Sequence, residues 1–409
     1  MRPRLRVALF TDSYQESNGV ATLCREYASY AERSRIPMFC AFGGTETRFR
    51  RSGSLHELEL RRGPLSFGVD AGLSCDPFLT RHRDIVVEKL REFGPDLVHI
   101  TGPGDVSVLG LLAARLAGVP IVASWHTNLH EYSQRRVEST LSYLPDAARS
   151  FVSGRACNGT LWAVTNFYRL AHFVAAPNQD AVDLLVSRTK RPAFLMAHGV
   201  NTEMFTPARR KRSDARFCIG YVGRLTPEKN VRALAELERR LLSLGETDFR
   251  ILLVGEGSER DWLRSHMKTA DTVGVLRGDA LADAFASMDA FVFPSLTDTF
   301  GLVILEAMSS GVPVILNSET GSHAGVRDGI DGFLGCDFVS GVRTLMHCPA
   351  TRFRMAAAAR ASACDRAWPG VFEDLHRIYH DGLDAQETRR RMPTRRFGPP
   401  ATNGAAAAH

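Results

Sequence analysis

Eleven short apolar runs punctuate the chain, separated by stretches with helical spacing. "RVALFTD", "MFCAFGG", "DLVHITG", "PIVASWHT", "HFVAAPN" and "AFLMAHGV" fall in the first half. "FCIGYVGR", "RILLVGEG", "TVGVLRG", "AFVFPS" and "VPVIL" fall in the second. The runs are nearly continuous in apolar residues rather than alternating with polar ones. This predicts parallel strands covered by helices on both faces, and so two doubly wound α/β units. The break between them is Asn201 to Arg216, "NTEMFTPARRKRSDAR", with a proline and four consecutive basic residues.

The domain reading is therefore 1–200, a linker at 201–215, a second domain at 216–368, a helix at 369–384 and a basic, disordered tail at 385–409. The final helix has apolar residues at 371, 372, 375, 378, 379 and 383. Its periodicity leaves the partner open, with packing back on the first domain as one option. In paired α/β domains a ligand binds outside the carboxyl ends of the strands, which points to the cleft between them.

Composition narrows the function classes. Of 409 residues, 44% are hydrophobic and 23% charged, ordinary for a soluble globular protein. The most apolar stretch, "GLLAARLAGVPIVASW", is broken by Arg115 and Pro120, so no membrane-spanning helix is expected. The basic-then-apolar start runs into Asp12 too soon for a signal peptide. Eight scattered cysteines predict neither a zinc site nor a disulfide framework, and a cytoplasmic location is expected. The net charge is +6, and the tail, with five arginines and one glutamate, supplies +4 of it. That argues against a nucleic-acid surface.

Two stretches carry candidate chemistry. In "GRLTPEKN" a strand ends at Gly223, Thr226 is placed as an N-cap and Pro227 as the first helical residue. Lys229 then falls in the first turn, where a cation opposes the helix dipole. Together with Arg224 it suits a bound phosphate or diphosphate. The bland alternative is that Lys229 reaches water and pairs with Glu228 or Glu236. In "TDTFGLVILEAMSSGVPVI" a helix from about Gly301 to Ser310 stops at Gly311, before Pro313. Ile304, Leu305 and Met308 form its packing face, and Glu306 lies on the other side with Leu302, Ser309 and Ser310. The amides of Thr299, Phe300, Gly301, Leu302 and Val303 make a second anion-receptive site. Glu306 beyond it suits the diol of a ribose. Asp298 would lie nearer the reacting end, or else cap the helix.

These motifs, with "DSYQESNGVA", "PDLVHITGPG", "SWHTNLHEY", "APNQDAV", "HGVNTEMFTP" and "VGEGSERDWL" in the same order, resemble glycosyltransferase family 4 over roughly residues 5–383. The resemblance implies a GT-B fold, in which two Rossmann-like parallel-sheet domains face each other across a cleft. It implies a retaining transferase that moves a hexose of mannose or glucose type from a nucleotide-diphosphate sugar to a hydroxyl of a glycan or lipid-linked acceptor. Carried over by position, Arg224 and Lys229 would bind the diphosphate and Glu306 the ribose. Gly19 would belong to a loop closing on the phosphates, and His126 would lie beside the transferred sugar. Gly274 and Val275 would pass near the base.

Asp298 stands where the family usually has glutamate, in a variant that resembles glycolipid-directed mannosyl and sulfoquinovosyl transferases. The implied mechanism needs no metal or other cofactor, because two cations and helix amides stabilise the leaving group. The residues alone leave His126 open to a merely structural role, place His99 in packing, and assign neither His130 nor His198. They also leave open an epimerase, a phosphorylase or a non-catalytic sugar-nucleotide binder. A retaining glycosidase is disfavoured, since its carboxylates flank the bond about 5–5.5 Å apart. Arginines and aromatics between Val137 and Phe173 leave a peripheral contact with the inner face of a membrane open.

Overall fold

The computed structural model describes residues 3–391 apart from 17, 71–72, 142–144, 213, 297 and 318–323. The first domain contains β1 (Val7–Thr11), β2 (Met38–Gly44), β3 (Arg48–Ser52), β4 (Leu55–Arg61), a small hairpin of β5 (Phe67–Asp70) and β6 (Leu73–Cys75), then β7 (Leu97–Ile100), β8 (Ile121–Ser124), β9 (Phe173–Ala176) and β10 (Ala193–Leu195). Its main sheet has the order β10-β9-β8-β7-β1-β2-β4-β3, parallel except for the β3–β4 edge hairpin. The second contains β11 (Phe217–Val222), β12 (Phe249–Val254), β13 (Ala270–Gly274), β14 (Ala290–Phe293), β15 (Val314–Leu316) and β16 (Gly332–Leu334). These form a fully parallel sheet, β13-β12-β11-β14-β15-β16.

Burial on both faces explains the continuous apolar runs. In β1, Ala8 and Phe10 join the core on one side of the sheet, while Val7 and Leu9 join the core on the other. The second core is closed by residues from the far end of the chain: Trp368, Val371, Phe372, Leu375 and Tyr379. The C-terminal helix, Trp368–Arg391, therefore packs on the first domain. It runs seven residues past the boundary at 384, because "AQETRRR" is made largely of good helix formers and Gln386 is buried. The remainder of the expected tail, 392–409, lies outside the described residues.

The chain crosses between domains twice, side by side. The Val200 amide donates to the Arg366 carbonyl at 3.0 Å, and Val200 bridges Ala367. Any side chain at Gly199 would meet the Trp368 ring at 2.6 Å, so this crossing needs glycine. The basic linker is strapped down. Arg209, Arg210 and Lys211 pair with Asp279, Asp289 and Asp283 at 2.7, 2.7 and 3.0 Å, and Arg212 also pairs with Asp289. Burial pushes the Asp289 carboxyl up, but the Cys218 amide and these guanidiniums outweigh it and hold the group below its ordinary value.

Other departures have local causes. β3 was not legible as a strand because all five of its residues are exposed. β13 starts at Ala270, upstream of the apolar run, as an edge strand with Asp271 and Val273 exposed.

Candidate active site

The cleft is lined from below by the loop after β11. Gly223 and Leu225 lie against the turn at Gly255 and Gly257, where an added Cβ would meet the Gly223 carbonyl oxygen at 1.9 Å and the Leu225 carbonyl oxygen at 2.2 Å. The Leu225 amide donates to the Glu256 carbonyl at 2.8 Å. These two glycines let one loop brace the other at the carboxyl end of the sheet. Arg224 stands on the braced loop, with its guanidinium 3.6 Å from Glu228.

Lys229 is not in the first turn of the long helix. Pro227–Lys229 is a separate 3-10 turn with Pro227 at its first position, and Asn230 then takes a left-handed conformation, φ 52°. The helix proper is Arg232–Ser243. Thr226 occupies the cap position, but its side chain makes no capping bond. The turn frees Lys229 from the helix axis and sends its Nζ to Asp298 Oδ1 at 2.6 Å, not to Glu228 or Glu236. β11 and β14 are neighbours, which brings these residues together although 69 positions separate them. The pair is largely covered, with side-chain exposures of 12% for Lys229 and 22% for Asp298.

Asp298 does not cap the following helix. That helix is Leu302–Ser309, its cap is Gly301 at φ 74°, and no side chain caps it. The other carboxylate oxygen of Asp298 is buried without a partner among the described residues. One oxygen thus holds Lys229 while the other remains an unused acceptor. In the first turn the Ile304 amide donates to the Gly301 carbonyl at 2.9 Å, and a helix offers the amides before it no acceptor of its own. Ile304, Leu305 and Met308 are buried as the spacing indicated, but so are Ser309 and Ser310. Ser309 donates to the Phe205 carbonyl at 2.7 Å, and Arg360 binds the same carbonyl at 2.8 Å.

Glu306 is set apart on its helix. Its carboxylate has no hydrogen bond or ion pair among the described residues, and burial pushes its pKa up to about 7. A ligand that donates hydrogen bonds would reverse that shift. Glu306 does not touch Arg224 or Lys229.

The first domain meets this rim from above. Thr299 Oγ1 donates to the His126 carbonyl at 2.6 Å, and Asn178 Nδ2 donates to the Thr299 carbonyl at 2.8 Å. Asn178 also caps the helix Gln179–Thr189 through its other amide atom, which accepts from the Ala181 amide at 2.8 Å. His198 stacks on Phe300 with ring centroids 4.5 Å apart and meets His126 edge-on at 5.6 Å. Gly19 opens the helix Gly19–Arg33, and a Cβ there would lie 3.2 Å from Leu302. Two helix N-termini therefore face each other across the cleft. Asn178 and His198 were missed because their contacts cross domains, although a strand followed by "APNQDAV" marks Asn178 as a cap.

The histidines on the cleft side of the first domain are held neutral. Burial, with His198 and His99 nearby, drives His126 well below the ordinary histidine value, and burial alone lowers His99 to about 3 and His198 to about 4. Val273 and Val275 are exposed at the end of β13, and Gly274 there is left-handed with its Cβ position 3.2 Å from Glu256. The arrangement offers cations and amides on one side, neutral hydrogen-bonding groups on the other, and two carboxylates with unused acceptors. Among the described residues, no three or more His, Cys, Asp or Glu side chains gather as a metal site.

Residues 17–204 match the family described as Glycosyltransferase Family 4, and residues 216–346 match Glycosyl transferases group 1. The GDP-mannose-dependent alpha-mannosyltransferase of Mycolicibacterium smegmatis is 34% identical over 322 residues, covering 75% of this chain and 79% of that one. Sulfoquinovosyl transferase SQD2 of Arabidopsis thaliana is 31% identical, over 69% of this chain and 56% of its own. Sucrose-phosphate synthase of Thermosynechococcus elongatus superposes with a TM-score of 0.71 at 17% identity, over 93% of this chain and 100% of that one. Anabaena HepE, solved with UDP and glucose, gives 0.64 at 18% identity, over 92% and 100%. The facing parallel-sheet domains are thus a GT-B fold, and with a relative of this identity matched over three-quarters of the chain, the protein belongs to glycosyltransferase family 4 and is a hexosyltransferase.

Proposed function

We propose that the protein is a retaining α-mannosyltransferase that takes GDP-mannose and passes mannose to a hydroxyl of a lipid-linked or glycan acceptor. The observation that carries the site reading is the 2.6 Å pairing of Lys229 with Asp298. It sets a leaving-group cation and a sugar-binding carboxylate side by side. The choice of donor is supported by curated relatives from Mycolicibacterium smegmatis and Corynebacterium glutamicum, 34% and 30% identical and both named GDP-mannose-dependent alpha-mannosyltransferases.

In this reading the diphosphate lies on Arg224, Lys229 and the amides that open the helix Leu302–Ser309. These donors stabilise the charge that develops as the sugar–phosphate bond breaks, a role a metal ion would otherwise fill. Glu306 accepts from the ribose hydroxyls. The unused oxygen of Asp298 accepts from a mannose hydroxyl, so the shorter side chain serves without a backbone shift. His126 contacts the sugar from the opposite side. The acceptor attacks from the leaving-group face, and the departing phosphate takes its proton. No side chain forms a covalent intermediate.

The test is a set of thermal-shift and turnover measurements with GDP-mannose, UDP-glucose and their free diphosphates. GDP-mannose should raise the melting temperature most, and its slow hydrolysis should release GDP. Donor conversion without acceptor to another sugar nucleotide would make the protein an epimerase. A strict requirement for inorganic phosphate would make it a phosphorylase.

Among the described residues, no helix is long and apolar enough to cross a membrane. A peripheral contact with an anionic inner leaflet is part of the proposal. On the helix Asp146–Tyr168, Phe151 and Trp162 are 62% and 70% exposed, and Arg155 lies over the Phe151 ring. Aromatic side chains flanked by arginine suit the headgroup boundary. Co-sedimentation with anionic vesicles, lost in Trp162→Ala, is the expected result.

A further inference from the structure

Behind His126 runs a line of buried side chains that the proposed chemistry leaves unused. Tyr379 Oη lies 2.7 Å from His99 Nδ1, His99 Nε2 lies 2.7 Å from Ser124 Oγ, and Ser124 Oγ lies 2.7 Å from His126 Nε2. All four residues are buried. Ser124 is held in place from its backbone side, where its carbonyl accepts from the Tyr168 hydroxyl at 2.9 Å. At the cleft end, His126 Nδ1 is buried with no partner among the described residues. It sits where Thr299 grips the His126 carbonyl and the His198 ring stands edge-on. A buried ring nitrogen without a partner is costly, and a ligand group is the natural way to satisfy it.

The line has a direction. A neutral imidazole carries one N–H and one lone pair, and the serine hydroxyl has a single proton to place between two imidazoles. Only two proton arrangements complete all three bonds and also use the buried serine proton, and they run opposite ways; a serine accepting from both imidazoles would strand its own O–H. If Tyr379 donates to His99, then His99 donates to Ser124, Ser124 donates to His126 Nε2, and the proton of His126 must sit on Nδ1. If the line is reversed, His126 presents a bare nitrogen instead. The Tyr379 proton decides: the Tyr27 hydroxyl is its other neighbour, but an imidazole nitrogen is a better acceptor than a phenol oxygen, and Tyr27 has an imidazole of its own in His376 Nε2 at 3.1 Å. A phenol, with an ordinary pKa near about 10, is a better donor and a poorer acceptor than an aliphatic hydroxyl. Tyr379 therefore starts the line as its donor.

We infer that Tyr379, His99 and Ser124 are positioning residues that hold His126 in the Nδ1–H tautomer, so that it presents a hydrogen-bond donor to an oxygen of the transferred sugar. The sugar contact rests on the reading of the cleft as a sugar-nucleotide site; the tautomer does not. The donor's sugar subsite is thus completed from the C-terminal helix, 280 residues along the chain from His99.

The test uses the full chain labelled with 15N-histidine, with the His126 signals identified by their loss in His126→Gln. Ring-nitrogen shifts and two-bond correlations report the tautomer directly. Wild type should show His126 protonated on Nδ1. Tyr379→Phe, which keeps the packed ring, and Ser124→Ala, which breaks the line next to His126, should each move the population toward Nε2–H. Each should also weaken GDP-mannose binding about tenfold, the scale of one lost hydrogen bond, while GDP alone binds as before. His126 protonated on Nε2 in wild type overturns the inference, as does an unchanged tautomer in both variants. Equal weakening of GDP and GDP-mannose in both variants also overturns it, since that marks general damage to the fold. If the tautomers behave as expected but wild type does not bind GDP-mannose, the relay stands and the donor assignment falls.

Discussion

Two desolvated acids, one from each domain and each near the carboxyl end of its sheet, are handled in opposite ways. Asp12 follows β1 and accepts from the Gly104, Val106 and Ser107 amides at 3.1, 2.9 and 3.1 Å, and from the Ser107 hydroxyl at 2.6 Å. It caps the helix Asp105–Ala117 from outside that helix's own sequence. Glu306, beyond β14, is as strongly desolvated and accepts from nothing among the described residues. Burial raises both, Asp12 to about 6 against the lowering effect of its donors and Glu306 to about 7. A raised pKa alone does not separate an acid the fold uses from one it leaves open. The hydrogen-bond inventory does: one carboxylate is already used by the fold, and the other has no partner among the described residues, which suits the proposed ribose contact.

This contrast can be broken by measurement. The largest effect on donor handling is expected from Lys229→Ala, which removes the proposed leaving-group cation and strands Asp298. Turnover should fall about a hundredfold, the scale for losing one preorganised charge-stabilising donor. Steady-state kinetics with GDP-mannose would check it, and unaltered turnover would dismantle the mechanism. Glu306→Gln comes next, with donor affinity falling about tenfold as a charge-assisted bond is lost. Calorimetry is the measurement, and an unchanged dissociation constant would remove the ribose assignment.

The pH dependence sharpens the same point. Glu306 is raised from its ordinary 4.5 to about 7, so the stability tied to its protonated form is present below 4.5 and is lost as pH rises through about 7. The unliganded wild type should therefore lose stability relative to Glu306→Gln across that window, while donor binding tightens, because the charged acid is the better acceptor. Asp12 titrates in both proteins and cancels from the difference. A flat difference between the two melting curves would contradict the burial of Glu306. The smallest effect on the donor should come from Asp12→Asn. It should cost ~1 kcal/mol of folding stability, the scale of a lost helix cap, in denaturant titrations, with donor affinity unchanged.

Most of the scaffold was legible because strands buried on both faces leave continuous apolar runs that a sequence displays openly. The exposed strand β3 and the extension of the last helix were not, since neither carries an apolar signature. At the site, Arg224 and Lys229 stood out as two cations beside the start of a helix, and Glu306 as an acid on an otherwise apolar helix. What lay hidden was pairing across distance. Lys229 finds Asp298 only because β11 and β14 are neighbours, an adjacency that no local pattern encodes. The 3-10 turn that redirects Lys229 depends on Asn230 adopting a left-handed backbone, which the run "TPEKN" does not announce. The apolar strand around His99 argues for packing alone, since its two hydrogen-bond partners lie 25 and 280 residues away.

The two adjacent crossings at Val200 and at Arg366 to Ala367 fix how the halves can move. Because both connections pass through one point, they define a shared pivot. A swing about it changes the width of the cleft without stretching either connection. The fasteners at the mouth among the described residues are small: Thr299 with His126, Asn178 with Thr299, and the His198 ring stacked on Phe300. Entry and exit of a substrate can thus proceed by unlatching that small clasp, while the hydrophobic anchorage of the C-terminal helix rides along intact with the first domain.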